Sequence, residues 1–309
     1  QHDNKPPPPG SRPGGWFGRA ASNRSGAPSP ARSACCFSTT AILAPMKLAV
    51  IIAAGGKSTR FANDSAIGRS KLDEDLGGRP VLQRTVELFC KRDDVDLIVV
   101  AGPADGYDEF VIRHGDKLGL LGVKVCKGGE THRWETVQNA LEQIDDSFTH
   151  IAVHDAARPC TPPELIDRMF EAAQKHDAVV PGVEVHDTLK RISDEAKIEE
   201  DIDPLDAILG DAGKSKVKTR TVTGTVDRAG LVAVQTPQVF SAPLLRRAYA
   251  QSDLSSTDDA GLVERVGEEV VVIEGDPRNI KITRGIDLKV ARSVLGAKGE
   301  QSRAAHKRF

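Results

Sequence analysis

The chain has 309 residues, a formal net charge of -2 and 39% apolar residues, so it can bury a substantial core and does not resemble a nucleic-acid-binding or membrane-surface protein. No apolar run approaches the ~20 residues that a membrane span needs. The five cysteines form no C-x-x-C pair and no histidine pair has zinc spacing, which favours a reduced cytosolic setting.

Residues 1–45 differ from the rest of the chain. They contain eight prolines and many glycines and serines, and they show no hydrophobic period, so we predict a disordered extension. An Arg- and Ser-rich, acid-poor segment is also typical of a transit peptide, which would direct the protein to a plastid. Proline and glycine suit an amphipathic targeting helix badly. We therefore favour a cytoplasmic protein with an unstructured upstream segment and Met46 as the natural start.

Strand and helix patterns alternate from Met46 onward. The apolar run at 47–54 predicts a buried strand of a parallel sheet, ended by Gly55-Gly56. Thr161 is predicted to cap a helix that has Pro162 at its first position. Repeated strand–helix–strand units predict an α/β fold, a Rossmann-like, doubly wound and mostly parallel sheet with helices on both faces. Further strands are predicted at 97–101, 150–153, 178–183, 269–273 and 279–283, and helices at 80–92, 133–144, 161–176, 243–249, 258–266 and 286–295.

The stretch 186–228 breaks this rhythm with Thr-, Val- and Lys-rich segments that are typical of strands. We expect a β-arm that projects from the sheet and contains a flexible insert at about 194–218. An isolated two-stranded arm is marginal in water, so it needs a partner surface, and a symmetric dimer supplies one. The remaining chain is predicted to form one domain over 46–296, followed by a C-terminal tail at 297–309.

The loop after the first strand reads Ala53-Ala54-Gly55-Gly56-Lys57-Ser58-Thr59-Arg60, and Lys71 follows eleven residues after Arg60. Parallel sheets bind ligands at the carboxyl ends of their strands, and small residues let backbone N–H groups approach phosphates closely. The sequence is only superficially similar to a P-loop, because Ile51 stands where that motif requires glycine. The spacing of these residues fits two interpretations equally well, a tight turn or a phosphate-binding site with the two cations Arg60 and Lys71.

A second polar group follows the strand at 150–153, in the sequence His154-Asp155-Ala156-Ala157-Arg158-Pro159. Asp155 is a hard oxygen donor that suits magnesium bound jointly with phosphates. An aspartate that caps the turn to Arg158 explains the pattern equally well. We expect His154 to be a packed structural residue rather than a base.

Two further motifs carry polar groups without a decisive spacing. Gly128-Gly129-Glu130, followed by Arg133 and Thr136, fits a base-reading loop or a plain helix entry. Lys281 alternates with two isoleucines and so faces away from them, as a lysine that simply meets solvent would also do.

The arm carries its own candidate residues. These residues lie in two segments, His186 to Arg191 and, later in the chain, Val226-Asp227-Arg228. Together the segments contain three cations and Thr188, which could bind a partner that carries a phosphate. A solvated β-ribbon would show the same charges, so the residues alone do not choose between these interpretations.

Taken in this order, the motifs resemble the 2-C-methyl-D-erythritol 4-phosphate cytidylyltransferase family of the non-mevalonate isoprenoid pathway. The resemblance runs from about Lys47 to Leu295. It is carried by the Ala-Ala-Gly loop with Arg60 and Lys71, and by the segments 154–159, 187–190, 226–228, 235–238, 257–260 and 279–281.

The resemblance implies a nucleotidyltransferase domain over 46–296 that joins CTP to methylerythritol phosphate as a homodimer, with Mg²⁺ as cofactor and with no nucleic-acid or membrane partner. It assigns the metal to Asp155 and the catalytic cations to Arg60, Lys71 and Lys281. The positions that match CTP-binding residues of the family are Ala53, Ala54, Gly55, Gly129, Arg133, Thr136, Ala156 and Arg158. The positions that match the acceptor-phosphate site are Thr188 and Arg228, reached from the other subunit's arm, and Thr257.

The sequence departs from the family pattern in a few places. Ser58 stands where a second glycine is common, Thr136 replaces a common serine but keeps its hydroxyl, and the arm carries about twenty additional residues. A ribitol 5-phosphate cytidylyltransferase is the nearest alternative, although the run at 154–159 and the segment at 187–191 favour the methylerythritol acceptor. A nucleotide-binding module without turnover is the alternative from another class, and the three residues Lys71, Asp155 and Lys281 argue against it.

Overall fold

The apolar run after Met46 forms a strand near the middle of an eight-stranded sheet. The structure is a computed structural model that describes residues 46–56, 61, 70–200 and 216–297. The predicted extension at 1–45, Arg60, the middle of the predicted arm insert and most of the C-terminal tail lie outside the described residues.

The strands and helices follow one another in the predicted alternation. The strands are β1 (Leu48–Ala53), β2 (Leu97–Gly102), β3 (Lys124–Lys127), β4 (His150–Asp155), β5 (Ala178–Glu184), β6 (Leu189–Ile192), β7 (Lys197–Glu200), β8 (Lys216–Thr219), β9 (Val222–Val226), β10 (Val232–Val234), β11 (Gln238–Ser241) and β12 (Val271–Glu274). The helices are α1 (Val81–Cys90), α2 (Tyr107–Phe110), α3 (Asp116–Leu120), α4 (Arg133–Leu141), α5 (Pro163–Ala173), α6 (Ala242–Tyr249), α7 (Ala260–Arg265) and α8 (Gly285–Val294). A π-helical turn, Val111–Gly115, joins α2 to α3.

The sheet has the strand order β10-β5-β11-β4-β1-β2-β3, and β12 also pairs with β5. Four pairings are parallel, namely β1–β2, β1–β4, β2–β3 and β5–β12, whereas β10 and β11 run antiparallel to their neighbours. The prediction of a mostly parallel α/β sheet is confirmed. Ala53 lies beside both Ala101 and Asp155 in the register, so β1, β2 and β4 end at the same edge.

The core has two halves because side chains of a strand point alternately to opposite faces. On one face, Leu48, Val50 and Ile52 pack with buried residues of α1, α5 and α8. On the other, Ala49 and Ile51 pack with buried residues of α4, α6 and α7. Burial of an aliphatic side chain of this size contributes about 1.5–3 kcal/mol. The structure thus places helices on both faces, as predicted.

Two local predictions are wrong. The segment 279–283 is not a strand, because no strand in the described part of the chain pairs with it. Its alternation arises because Ile282 is buried in the core while Lys281 is exposed. Thr161 does not cap α5, whose N-cap is Pro162. The hydroxyl of Thr161 instead donates a hydrogen bond to Oδ1 of Asn279 at 2.8 Å.

The arm consists of two antiparallel ladders in the part of the chain that the structure describes. Strand β6 pairs with β9, which confirms the strand-like segments on either side of the predicted insert. Strand β7 pairs with β8, so the insert begins and ends as a second ladder rather than as a flexible segment throughout. No helix within the described ranges is long and apolar enough to cross a membrane.

Candidate active site

A cavity of about 290 Å³ opens at the edge where β1, β2 and β4 end. Backbone hydrogen bonds hold this edge together, from Ala54 N–H to the Ala101 carbonyl at 2.8 Å and from Gly128 N–H to the Gly102 carbonyl at 2.9 Å. Ten of the residues predicted from the sequence line the cavity, namely Ala53, Ala54, Gly55, Lys71, Gly129, Arg133, Thr136, Asp155, Ala156 and Lys281.

The glycines of the cavity allow two loops to pack against the start of α4. A Cβ atom on Gly55 would lie 2.7 Å from Oγ1 of Thr136, and one on Gly129 would lie 2.1 Å from Cβ of Glu135. Contacts this short do not exist between real side chains, so neither position accepts a Cβ without a shift of its neighbour. Gly129 N–H also donates to Oγ1 of Thr136 at 3.0 Å. The buried threonine therefore fixes the wall of the cavity through its hydroxyl.

The N-terminus of α4 lies at the cavity wall. The carboxylate of Glu135 accepts hydrogen bonds from the N–H groups of Thr131 at 2.9 Å and His132 at 3.3 Å, which closes a capping box. These backbone hydrogen bonds lower the pKa of Glu135. The partial positive charge of a helix N-terminus favours an anionic ligand at this position.

Asp155 is surrounded by cations. Its carboxylate lies 3.0 Å from Nζ of Lys281, 3.2 Å from Nε of Arg158 and 3.7 Å from Nε of Arg133. Burial alone would raise the pKa of Asp155, but these three cations, Lys281 foremost, hold it well below its ordinary value. Asp155 is consequently ionised at neutral pH and lies at the wall of the cavity.

Lys71 and Lys281 reach the cavity from opposite ends of the sequence. Nζ of Lys71 donates to the carbonyl of Ile282 at 3.0 Å, which ties the segment at 70–72 to the residue after Lys281. Phe61, which is buried, also lines the cavity. Arg60 lies outside the described residues, so its predicted role stays a prediction.

His154 holds the backbone around Asp155 in place. It is fully buried, and burial lowers the pKa of its ring to about 4, so it is neutral. Its Nε2 lies 3.2 Å from the carbonyl of Arg158 and its Nδ1 lies 3.1 Å from Oγ1 of Thr236, which in turn accepts the N–H of Asp155 at 3.1 Å. The prediction that His154 is a packed structural residue is confirmed.

The other predicted residues lie apart from the cavity. Arg158 is buried behind Asp155 and donates to the carbonyl of Asn279 at 2.7 Å. Thr188, Arg228 and Thr257 are exposed, and none of them is among the described residues that line the cavity.

Sequence reasoning missed two residues that support the site. Asn279 is fully buried, and its Nδ2 donates to the carbonyl of Thr236 at 2.8 Å, which anchors the irregular segment that carries Lys281. Asp259 is fully buried and its Oδ2 lies 2.7 Å from Nη2 of Arg133. Both residues belong to motifs singled out in the sequence, but only burial reveals what their side chains do.

The potential metal ligands at the cavity fit a metal ion that is coordinated partly by the protein and partly by a substrate. Within the described ranges no three or more His, Cys, Asp or Glu side chains converge on one point, so a cage made of protein ligands alone is not found there. Asp155 provides one ionised carboxylate at the cavity wall. Magnesium is commonly bound by one or two carboxylates together with the phosphates of a substrate, and this arrangement suits that mode.

The model of the 2-C-methyl-D-erythritol 4-phosphate cytidylyltransferase family matches residues 48–204 and 205–297. The chain belongs to this family. A 2-C-methyl-D-erythritol 4-phosphate cytidylyltransferase from Frankia casuarinae is 37% identical over 255 residues, which cover 82% of this chain and 83% of the relative. One from Rhodococcus jostii is 38% identical over 246 residues, which cover 79% of this chain and 93% of the relative. The resemblance inferred from the motifs is therefore confirmed.

Solved structures agree with this membership. A 2-C-methyl-D-erythritol 4-phosphate cytidylyltransferase from Thermus thermophilus superimposes with a TM-score of 0.58 at 28% identity, over 81% of this chain and all of that chain (100%). A 4-diphosphocytidyl-2C-methyl-D-erythritol synthase has the same TM-score, 0.58, at 31% identity and covers 81% of this chain and 98% of its own. These two solved structures therefore have the same fold as this chain.

Proposed function

We propose that this protein transfers the cytidylyl group of CTP to 2-C-methyl-D-erythritol 4-phosphate. The products are 4-diphosphocytidyl-2-C-methyl-D-erythritol, an isoprenoid precursor, and pyrophosphate. The observation that carries the proposal is the convergence of Lys71, Lys281, Asp155 and the glycine loops on one cavity at the carboxyl edge of the sheet. Membership of the family supports it, and the names of the relatives favour this acceptor over ribitol 5-phosphate.

The reaction requires no general base. An oxygen of the acceptor phosphate is already ionised at neutral pH, attacks the α-phosphorus of CTP and forms the new P–O bond. The bond from the α-phosphorus to the bridging oxygen breaks, and pyrophosphate leaves with the electron pair. The barrier arises because two anions must approach one another, so positioning and charge stabilisation are the expected means of catalysis. His154 is fully buried and is not among the described residues that line the cavity, so it is not placed to act as a base.

The residues of the cavity have distinct proposed roles. Backbone N–H groups of the loop at 53–55 and the N-terminus of α4 would bind the nucleotide, with Gly129 and Thr136 beside the cytosine. Lys71 and Lys281 would stabilise the charge that develops on the α-phosphate and on the departing pyrophosphate, together with Arg60. Arg158 is assigned an indirect part, because it holds Asp155 and the carbonyl of Asn279 from behind.

Asp155 would hold magnesium jointly with phosphate oxygens of the substrate. A bound divalent cation supplies Lewis-acid stabilisation of phosphate charge. The ionised state of Asp155 at neutral pH prepares it for that role.

The acceptor phosphate is assigned to Thr188, Arg228 and Thr257, and we propose that a homodimer completes this part of the site. Thr188 and Arg228 lie on the arm, are exposed and are not among the described residues that line the cavity of their own chain, which supports delivery of the arm to a second copy. Exposed apolar side chains on and beside β10, namely Leu231, Val232 and Val234, follow directly after the arm and suit a contact between copies.

A reduced cytoplasmic location remains part of the proposal. It rests on the cysteine pattern of the sequence and is compatible with the free thiols of Cys90, Cys126 and Cys160. Burial raises the pKa of Cys126 and of Cys160 to about 11, so these two thiols are not reactive nucleophiles.

The test is direct. The purified protein is incubated with CTP, magnesium and either 2-C-methyl-D-erythritol 4-phosphate or ribitol 5-phosphate, and the CDP-alcohol and pyrophosphate are measured. We expect product with the first acceptor and a loss of about 10²–10³ in rate for Lys71→Ala. Lys91→Ala, an exposed lysine at the end of α1, is the matched control. No product with either acceptor, or full activity in folded Lys71→Ala, would overturn the proposal.

A further inference from the structure

The guanidinium of Arg133 lies between two carboxylates that have different environments. Its Nη2 lies 2.7 Å from Oδ2 of Asp259, and its Nε lies 3.7 Å from Oδ1 of Asp155. Asp155 lines the cavity, whereas Asp259 is fully buried and is not among the described residues that line it. Arg133 is therefore held from behind by a carboxylate that lies outside the described lining of the cavity.

Tyr249 anchors that buried carboxylate on its other oxygen. The hydroxyl of Tyr249 donates to Oδ1 of Asp259 at 2.6 Å. Tyr249 is the last residue of α6, its ring belongs to the core on one face of the sheet, and Asp259 directly precedes α7. The three residues form a chain of contacts from the core to the cavity, which we call the Tyr249–Asp259–Arg133 triad.

Arg133 and Tyr249 each keep one protonation state over the physiological pH range. Burial alone would lower the pKa of Arg133, but Asp259 and then Asp155 raise it above its ordinary value. Burial, together with Asp259, raises the pKa of Tyr249 far above its ordinary value, so its hydroxyl stays protonated and remains a donor. The contact is consequently a permanent support and not a pH switch.

The contact with Arg133 and Tyr249 is made by Asp259 and not by the adjacent Asp258, whose hydrogen bonds are different. Asp258 accepts a hydrogen bond from Nε2 of Gln238 at 2.8 Å and from the N–H of Gly261 at 3.1 Å. It thus supports the start of α7 and contacts neither Arg133 nor Tyr249 in these hydrogen bonds. A variant of Asp258 therefore serves as a control, because it shows how much the loss of a carboxylate next to α7 destabilises the protein without removing the contact with Arg133.

We propose that Asp259 and Tyr249 are positioning residues, which hold the Arg133 guanidinium in a fixed orientation toward CTP. The inference rests on the proposed function, because that function assigns Arg133 to the nucleotide. A guanidinium held before the ligand arrives loses little further freedom when CTP binds, and this preorganisation raises affinity. Neither Asp259 nor Tyr249 is expected to contact the substrates.

Tyr249→Phe is the discriminating variant, since it removes the hydroxyl and keeps the ring that packs in the core. The dissociation constant of CTP with magnesium is measured by calorimetry for wild type, Tyr249→Phe, Arg133→Ala and the double variant. We expect Tyr249→Phe to weaken CTP binding about tenfold in the wild-type background. In the Arg133→Ala background the same change should have no further effect, because the positioned group is already gone.

Asp259→Asn and Asp258→Asn extend the test, with melting temperatures measured for both. Asp259→Asn should weaken CTP binding at least as much as Tyr249→Phe, whereas Asp258→Asn should lower the melting temperature and leave CTP affinity unchanged. Equal CTP affinity in wild type and Tyr249→Phe, or an effect of Tyr249→Phe that persists in full without Arg133, would overturn the inference. A folded wild-type protein that does not bind CTP would instead overturn the proposed function.

Discussion

The carboxylate of Asp155 and the ammonium group of Lys281 lie 3.0 Å apart at the wall of the cavity. Asp155 is the last residue of β4, and Lys281 belongs to the irregular segment before α8. The pair joins a residue of the sheet to a residue outside it, whose segment is held by the backbone hydrogen bond from Ile282 N–H to the Ala157 carbonyl at 2.8 Å and by the side chain of Asn279.

Lys281→Ala should abolish most turnover. The lysine is one of the cations proposed to stabilise charge in the transition state, and loss of such a partner typically costs about 10²–10³ in rate. Pyrophosphate release with CTP and the acceptor is the measurement. Lys289→Ala, which changes an exposed lysine of α8, should keep wild-type turnover. A folded Lys281→Ala protein with near-normal turnover would show that this lysine only neutralises Asp155.

Asp155→Asn should lose its response to magnesium. An amide oxygen is neutral and is a weaker ligand for a hard cation, although it has nearly the same shape. Turnover is measured against magnesium concentration for wild type and variant. If both proteins give the same curve, Asp155 caps the turn to Arg158 and does not hold the metal.

Gly55→Ala and Gly56→Ala should behave differently although they are adjacent. A Cβ on Gly55 would lie 2.7 Å from Oγ1 of Thr136, whereas one on Gly56 would meet no atom of the described residues within 4 Å. Overpacking of this kind typically costs about 1–3 kcal/mol. We expect Gly55→Ala to lower the free energy of unfolding in urea and to raise KM for CTP, while Gly56→Ala leaves the free energy of unfolding within about 0.5 kcal/mol of wild type. Equal stability of the two variants would contradict the packing described here.

The stability of the protein should fall as the pH falls from 7 to 5, in part because of His154. Burial lowers the pKa of His154 to about 4 in the folded state, against about 6.5 when unfolded. Between these values the unfolded chain binds the additional proton, so the contribution is present above about pH 6.5 and is lost as the pH falls toward 4. The loss attributable to His154 between pH 7 and pH 5 is about 2 kcal/mol.

Urea unfolding of wild type and His154→Gln at pH 7 and pH 5 measures this contribution. The variant should be less stable at pH 7 but should lose about 2 kcal/mol less than wild type on acidification. Other groups that titrate in this window, His150 among them, are present in both proteins and cancel in the comparison. Identical pH dependence in the two proteins would refute the neutral, buried state of His154.

Arg228→Ala should weaken use of the acceptor while CTP binding stays nearly unchanged. A charged hydrogen bond to phosphate contributes about 1.5–3 kcal/mol, so acceptor use should fall tenfold or more. Mixing Arg228→Ala with Lys71→Ala subunits tests whether the arm serves the other copy. A mixed dimer would then contain one site with both defects and one with neither, and activity should partly return. No recovery despite confirmed subunit exchange would mean that each arm serves its own chain.

Much of the fold and part of the candidate site can be predicted from local patterns in the sequence. A parallel sheet whose loops bind the ligand is predicted by the apolar run of β1, by the turn residues after it and by the helix periods. These features can be predicted because the end of a strand and the face of a side chain depend on residues that are neighbours in sequence. These patterns place the loop at 53–56 and Asp155 at the carboxyl ends of strands, whereas the assignment of Gly129 to the site came from the family resemblance. The family resemblance added the chemistry that such residues perform.

Only the tertiary structure decided how the distant segments meet. The alternation at 279–283 is the same in a strand and in an irregular segment, and the difference depends on whether another strand is available to pair with it. Asp258 and Asp259 are indistinguishable in sequence, yet only Asp259 is fully buried and meets both Arg133 and Tyr249. Burial and pairing across long sequence separations depend on the packing of the whole chain, and no local pattern encodes them.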